Sequence, residues 1–370
     1  VDVVTAPAAR RTVRYVAWLI ASLGLVLSAG TPGGAQAPFY AGKTIELVVP
    51  TAVGGATDIL NRFLAPYLEK HIPGNPTVRI RNMPGGGTLL GMNWFAANAK
   101  PDGSMLLAST VASKVAYMLG NPAVRYDFTR WRLVSINGSG AVIYASPRTG
   151  VRTAADLPRA TGLVFGSNTP PGVELPALLA FELLGIAPRV VFGFESRGPI
   201  RLAFERGEMT VDFQATFVYA SQVLPLVRDG KAVGLMTLGF INEKGEMVRD
   251  PAVPDLPTVY EVYQQLFKKK PDGLLRWKAF RALVAASWTY GRGIWAPEGT
   301  PPEALRALWD GIDRMNADRE FQDQARKLME GYPLYRGDRV EAQVHRALRV
   351  TLDVSKFIRD LMREKYGQVI

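Results

Sequence analysis

Few residues in this sequence are equipped for covalent or acid–base chemistry. There is no cysteine, which excludes disulfides, thiolate zinc sites, iron–sulfur clusters and a cysteine nucleophile. The two histidines, His71 and His345, fall at the end of one helical pattern and on a basic terminal one, and read as surface residues. Neither has the setting of a Ser–His–Asp triad, and no H-E-x-x-H or G-x-S-x-G occurs. No pair of acidic residues is spaced for acid–base work. The expectation is a protein that is not an enzyme and holds no metal and no cofactor. Gly42-Lys43-Thr44 has the form of a P-loop ending, but the first glycine would fall on Ala37, and the lysine precedes its strand. Gly85-Gly86-Gly87 with Gly91 fails the dinucleotide fingerprint, because position 90 is Leu90.

What recurs instead is a loop type. Residues 51–57 (TAVGGAT), 83–88 (MPGGGT), 167–173 (SNTPPGV) and 195–198 (ESRG) each join the end of a strand to the start of a helix. Glycine lets backbone amides approach a guest without a Cβ in the way. A helix start adds unsatisfied donors and a partial positive charge. Ligands bind at this edge of open α/β sheets, so four such loops together would form a socket for an anion.

The elements that must carry these loops are legible as period-2 and period-3.6 patterns. Residues 44–50 (TIELVVP) read as a buried strand and 57–70 as a helix, which Pro66 should kink or shorten. Strands at 78–81 and 104–109 and a helix at 88–97 complete a first unit. Two extended stretches flank Gly138-Ser139-Gly140. A second unit follows, with strands at 163–167, 190–194, 211–214 and 233–238 and helices at 174–185, 199–206 and 219–228. Strand–loop–helix units in series imply an α/β fold with parallel strands covered by helices. Residues 239–292 are less regular, with a helix at 259–267 and a solvated run Lys268-Lys269-Lys270. Helical patterns at 302–316, 320–329 and 338–365 end the chain.

The chain has 370 residues, 48% hydrophobic and 21% charged, which suits one large or two ordinary domains. Its formal charge of +11 favours anionic partners without choosing among them. Basic residues are scattered and no nucleic-acid module is present, so no nucleic-acid partner is expected. Residues 1–37 read as an export signal: Arg10, Arg11 and Arg14, a 13-residue apolar run at 15–27, then small residues to a cleavage point after Ala37. Cleavage would leave a periplasmic protein of net charge +9.

The run Val49-Pro50-Thr51-Ala52-Val53-Gly54-Gly55-Ala56-Thr57-Asp58, with Arg62 one turn on, resembles the opening of the periplasmic solute receptors of tripartite tricarboxylate transporters, the Bug receptors. Asn82-Met83-Pro84-Gly85-Gly86-Gly87 is similar to that family's N-x-P-G-x-G loop, and Pro101-Asp102-Gly103-Ser104 with Leu106-Leu107 to its P-D-G-x-x-L-L segment. Asp156-Leu157, Phe165-Gly166-Ser167, residues 193–200, Gly207-Glu208, Val211-Asp212, residues 254–258 and residues 296–301 follow in the family's order. Single motifs are weakly specific; their order and spacing are the signal. Val53 departs from a usual proline, Phe194 from a tyrosine and Glu195 from a common basic residue, and residues 239–292 have the look of an insertion.

The resemblance implies a two-lobed (type 2) periplasmic binding protein with a cleft between two α/β domains. Residues 38–140 with 239–370 would form one lobe and 141–238 the other. It would capture a small organic carboxylate and deliver it to the membrane permease subunits of a tripartite transporter. The alternatives are a ligand carrier for a sensory receptor and, less well supported, an exported α/β hydrolase. Carried over by position, the binding residues are Val53, Gly54, Gly55, Ala56, Asp58, Gly86 and Gly87 from the first lobe, and Ser167, Thr169, Ser196, Arg197 and Asp212 from the second. Asp58 and Asp212 would organise loops more than touch an anion, since a bare carboxylate repels one. Arg197 would either clamp a distal carboxylate or pair with Glu195.

Overall fold

The computed structural model describes residues 1–2, 37–168, 172–194, 197–242 and 244–370; the export signal lies outside these apart from its ends. Phe39–Ile370 forms one compact unit. Its strands are β1 (Thr44–Val49), β2 (Thr77–Asn82), β3 (Met105–Ala108), β4 (Arg132–Asn137), β5 (Ala141–Ala145), β6 (Val164–Gly166) and β7 (Arg189–Val191). They continue with β8 (Val211–Ala215), β9 (Val233–Thr237), β10 (Phe240–Ile241), β11 (Met247–Val248), β12 (Arg292–Ala296) and β13 (Leu334–Arg336). Two main sheets result, ordered β13-β4-β12-β3-β1-β2 and β7-β6-β8-β5-β9.

Strand direction brings the loops together. In the first sheet β1 pairs parallel with β2 and β3, while β12 runs antiparallel to both β3 and β4. The C-terminal ends of β1 to β4 therefore share one edge with the starts of β12 at Arg292 and β13 at Leu334, both opposite Asn137. In the second sheet β6 pairs parallel with β7 and β8, and β5 runs antiparallel to β8 and β9. Their C-terminal ends share an edge with the start of β5. Only residues 138–140 separate the end of β4 from the start of β5, so this short crossover joins the two loop-bearing edges directly.

The helices used below are α1 (Ala56–His71), α2 (Leu89–Asn98), α3 (Val111–Met118), α4 (Leu175–Leu184), α5 (Arg197–Arg206) and α6 (Val259–Phe267). After them come α7 (Leu275–Leu283), α8 (Pro302–Ala317), α9 (Arg319–Leu328), α10 (Gly337–Ala347) and α11 (Leu352–Tyr366). Alternation along the strands divides the core. Ile45, Leu47 and Val49 of β1 face α1 and α8, while Val48 faces the opposite side with Phe95 and Leu107. In β5, Val142 and Tyr144 pack with Ile200 and Phe204 of α5, and Ile143 joins the core that holds Val48. That core runs from the first sheet to Phe165 and Phe213 of the second and on to Phe280 of α7. Each such buried side chain contributes about 2 kcal/mol. The segment after residue 239 adds to it: α7 packs on both α4 and α11, and Lys365 of α11 reaches Glu182 of α4 at 2.6 Å.

Most expected elements are present, with differences that have physical causes. Helix α1 runs through Pro66 without interruption. Pro66 and Arg62, whose carbonyl loses its donor, both lie on the exposed face, where water can serve instead. The terminal pattern at 338–365 is two helices, α10 and α11. The segment 216–228 contains a π-helical turn at Tyr219–Val223. Strands β12 and β13 and helix α3 were not legible in the sequence. The histidines are not free surface residues: His71 Nε2 lies 2.8 Å from Asp318 Oδ2, and the half-buried His345 ring stacks 6.0 Å from Trp295. Residues 267–270 are exposed, as a solvated lysine run should be.

Candidate functional site

The first loop is built around Asp58. This carboxylate is 1% exposed and accepts from the Gly54 amide at 2.8 Å, Arg62 Nε at 2.9 Å and Asn82 Nδ2 at 2.8 Å. Burial pushes its pKa up, but these three donors outweigh burial and hold it below the ordinary carboxylate value. Asn82 also donates to the Thr51 carbonyl at 3.0 Å, so the loops after β1 and β2 are tied by one side chain. Gly54 holds φ +80°, which only glycine adopts readily. Val53 is 71% exposed at the tip.

Gly55 is the N-cap of α1 and brings no side-chain cap. The first helix bond is made by Ile59 to the Gly55 carbonyl, so the amides of Ala56, Thr57 and Asp58 open toward the sheet edge without an acceptor among the described residues. The second loop is more unusual. Gly85, Gly86, Gly87 and Thr88 all have positive φ, at +139°, +55°, +63° and +87°. The turn folds back through Thr88 N–H and Leu90 N–H donating to the Gly85 carbonyl. The amides of Gly86 and Gly87 bond no described protein group. This pair of loops presents free amides and no formal charge beyond the neutralised Asp58–Arg62 pair.

Across the crossover, Ser167 is buried after β6, with its amide on the Val191 carbonyl at 2.8 Å. Thr169 and Ser196 lie outside the described residues, as does Glu195. Arg197 begins α5 and turns inward. Its guanidinium donates to the Gly166 carbonyl at 3.1 Å, Glu174 Oε1 at 3.2 Å, the Phe213 carbonyl at 2.5 Å and Asp212 Oδ1, and it lies 4.3 Å from the Phe213 ring centroid. Its partners are thus Glu174 and Asp212. Asp212 is fully buried and also accepts from the Tyr144 hydroxyl at 2.5 Å. Burial raises its pKa, with Arg197 opposing. This knot fixes the ends of β6 and β8 behind the loops of the second sheet.

Sequence reasoning missed a further cluster at the crossover. Asp250, fully buried, accepts from Thr216 Oγ1 at 3.0 Å, the Ala252 amide at 3.0 Å and the Tyr332 hydroxyl. These groups close over Gly140, where a Cβ would overlap the Asp250 carboxylate. Nearby, Lys114 of α3 is fully buried and donates to the Gly291 carbonyl at 2.9 Å and to that of Tyr290, fixing the start of β12. Burial, aided by Arg292, lowers its pKa well below the ordinary ammonium value. No local pattern signals these contacts, because each joins segments far apart in the chain.

No family model matches the chain. Among known sequences, Protein BugT of Bordetella pertussis is 30% identical over 305 residues, covering 78% of this chain and 82% of BugT. The chain belongs to the Bug family. A second relative of this Bug chain, a UPF0065 protein from Cupriavidus necator, is 27% identical over 332 residues, covering 86% of the chain and 87% of that relative. Solved structures share the fold. The periplasmic binding protein BugD superposes with a TM-score of 0.58 at 20% identity, over 89% of this chain and 99% of BugD. MatC from Rhodopseudomonas palustris with bound malate gives 0.57 at 22% identity, over 85% of this chain and 99% of MatC. The two-sheet α/β architecture is that of periplasmic binding proteins. Among the described residues no helix is long and apolar enough to cross a membrane.

Proposed function

We propose that this Bug receptor captures a small carboxylated anion between two lobes in the periplasm and delivers it to the membrane subunits of a tripartite transporter. The lobes follow sheet membership, residues 38–140 with 239–370 against 141–238, with α7 and α11 as a shared wall. One observation carries the reading: the uncapped amides of Ala56, Thr57 and Asp58 and those of Gly86 and Gly87 open at a sheet edge that faces its counterpart across a three-residue crossover. Such amides replace a carboxylate's hydration without a countercharge. Val53, Gly54, Gly55, Ala56, Gly86 and Gly87 line the first side, with Ser167 opposite; Thr169 and Ser196 are added from their place in the sequence alone. Asp58, Asp212 and Arg197 hold the loops in place. Closure is then a shift in population toward the form that the guest bridges. The malate bound to MatC supports a carboxylate guest.

The test is titration calorimetry with a panel of mono-, di- and tricarboxylates, read beside thermal shift. At least one should release heat and raise the melting temperature; silence across the panel refutes the reading. Delivery is tested by carboxylate uptake in cells lacking this chain, which should fall and return on complementation.

A further inference from the structure

A cavity of about 70 Å³ lies at the start of α1, beside the crossover that joins the two sheet edges. Ala56 at the start of α1, Asn137 at the end of β4, Ser139 of the crossover, Arg292 of β12, and Glu330 and Tyr332 before β13 line it, and Phe217 closes it from the helical turn after β8. Its volume suits a single carboxylate group, not a whole metabolite.

Arg292 is the unusual member. Its guanidinium makes no hydrogen bond and no ion pair within 4.0 Å to any described residue, although the residue is at least half buried and borders this cavity. An arginine fork left without acceptors in a partly desolvated pocket is poised for a bidentate carboxylate. Lys114 holds the two carbonyls before Arg292 and so fixes where that strand starts. Glu330, on the facing wall, has φ +55°, a left-handed conformation that is costly for a residue with a side chain and tends to persist where function requires it. Burial, then the nearby Asp250, push its pKa up to about 8, with Arg292 opposing. Protonated, its carboxyl can donate to a guest; ionised, it repels an anion. The other charged or titratable groups around it are Asp250, itself hydrogen-bonded, Tyr332 and Arg292. The residues of α1, 137–139 and 217 that face the cavity carry none.

We propose that this cavity takes one carboxylate of the captured solute, with Arg292 as its side-chain anchor and Glu330 on the facing wall, so that the solute is a dicarboxylate whose other end meets the glycine loops. This rests on the receptor reading above. It makes Arg292 a specificity-determining residue that separates dicarboxylates from monocarboxylates of equal length.

The experiment measures affinities for succinate, glutarate and adipate against butyrate, valerate and hexanoate, for the wild type, Arg292→Met, Arg292→Lys and Glu330→Gln. The wild type should prefer at least one dicarboxylate over its matched monocarboxylate. Arg292→Met should cut that ratio at least about tenfold, and Arg292→Lys, which keeps charge but not the fork, by less. An unchanged ratio in Arg292→Met overturns this inference and leaves the receptor reading standing. No binding of any of the six acids by the wild type overturns this inference, and silence that extends to the tricarboxylates as well overturns the receptor reading. A pH series serves if Arg292→Met does not fold. Ionised Glu330 repels the guest, so wild-type dicarboxylate affinity should fall about tenfold from pH 7 to pH 9 as the protonated fraction falls, and Glu330→Gln should stay flat. Identical pH profiles for the two proteins overturn the assignment.

Discussion

Replacing Asp58 by alanine tests how the first loop is held. Three donors converge on this buried carboxylate. Arg62 is about half exposed and regains water when the carboxylate is removed, so its bond contributes little. The Gly54 amide and the Asn82 side chain each lose a charge-assisted bond, at about 1.5 kcal/mol apiece, for a total near 3 kcal/mol. Over Phe39–Ile370, an unfolding entropy of about 2.1 cal/mol/K per residue turns this into a melting point lower by about 4 °C. Asp58→Asn should be no gentler, since either orientation of the amide sets its NH₂ against one of the donors. The acid limb of stability adds a sign. Asp58 titrates below its ordinary value, so its contribution is complete above about pH 3.9 and is lost as pH falls through the folded value. The variant should lose less stability than wild type across that fall. Removing a negative charge could by itself favour an anion, but Arg62 already neutralises it, so the slackened loop dominates and carboxylate affinity should drop about tenfold. Calorimetric melting and ligand titration check both parts. A variant that melts with wild type and binds equally well or more tightly refutes the account.

Three further outcomes follow from the buried clusters. Arg197→Met leaves Asp212 and Glu174 without their cation and should cost about 3–5 kcal/mol in urea unfolding, less at pH 5 than at pH 8, because burial raises the Asp212 pKa and protonation relieves that stranded carboxylate; an equal cost at both pH values would contradict the ion-pair role. Gly140→Ala puts a methyl into the Asp250, Thr216 and Tyr332 groups and should destabilise by more than about 3 kcal/mol, whereas Gly150→Ala, with open space around it, should cost only the strain of a left-handed alanine, about 1 kcal/mol. Lys114→Met should flatten the alkaline side of the stability curve: a lowered lysine pKa penalises folding wherever the unfolded chain holds the proton, so wild-type stability rises as pH climbs from the folded value toward 10.5, and the variant should lack that rise. Urea midpoints at pH 7, 8.5 and 10 would show it, and parallel curves would refute it.

The parts readable from the sequence are those whose cause is local. Thr44–Val49 is a strand because its side chains alternate between two cores, and the pattern shows this without the partners. Val259–Phe267 is a helix that starts at a capping box, Thr258 with Glu261, visible as residue types at fixed spacing. The glycine loops were legible because a left-handed turn can be made by few residues. Strand β12 was not legible: Arg292–Ala296 is five residues following a π-helical turn, and it is a strand because β3 and β4 flank it. β13 is three residues long and exists only through its pairing with β4.

The binding side divides in the same way. Backbone donors follow from glycine and helix starts, so Ala56, Gly86 and Gly87 could be offered in advance as candidates, whereas the amides of Gly54 and Gly55 are taken by Asp58 and Ala52. Side-chain roles depend on which distant segment arrives opposite. Arg197 reads on paper as a clamp or as the partner of its neighbour Glu195, and it becomes a structural cation only because β8 delivers Asp212 beside it. Arg292 reads as one more scattered basic residue, and it becomes distinctive only because its strand start, the crossover and Glu330 surround it without supplying an acceptor. Two arginines of identical chemistry thus differ in commitment: the one with four internal acceptors is held by the fold, and the one whose guanidinium has none among the described residues is the one proposed to meet a guest.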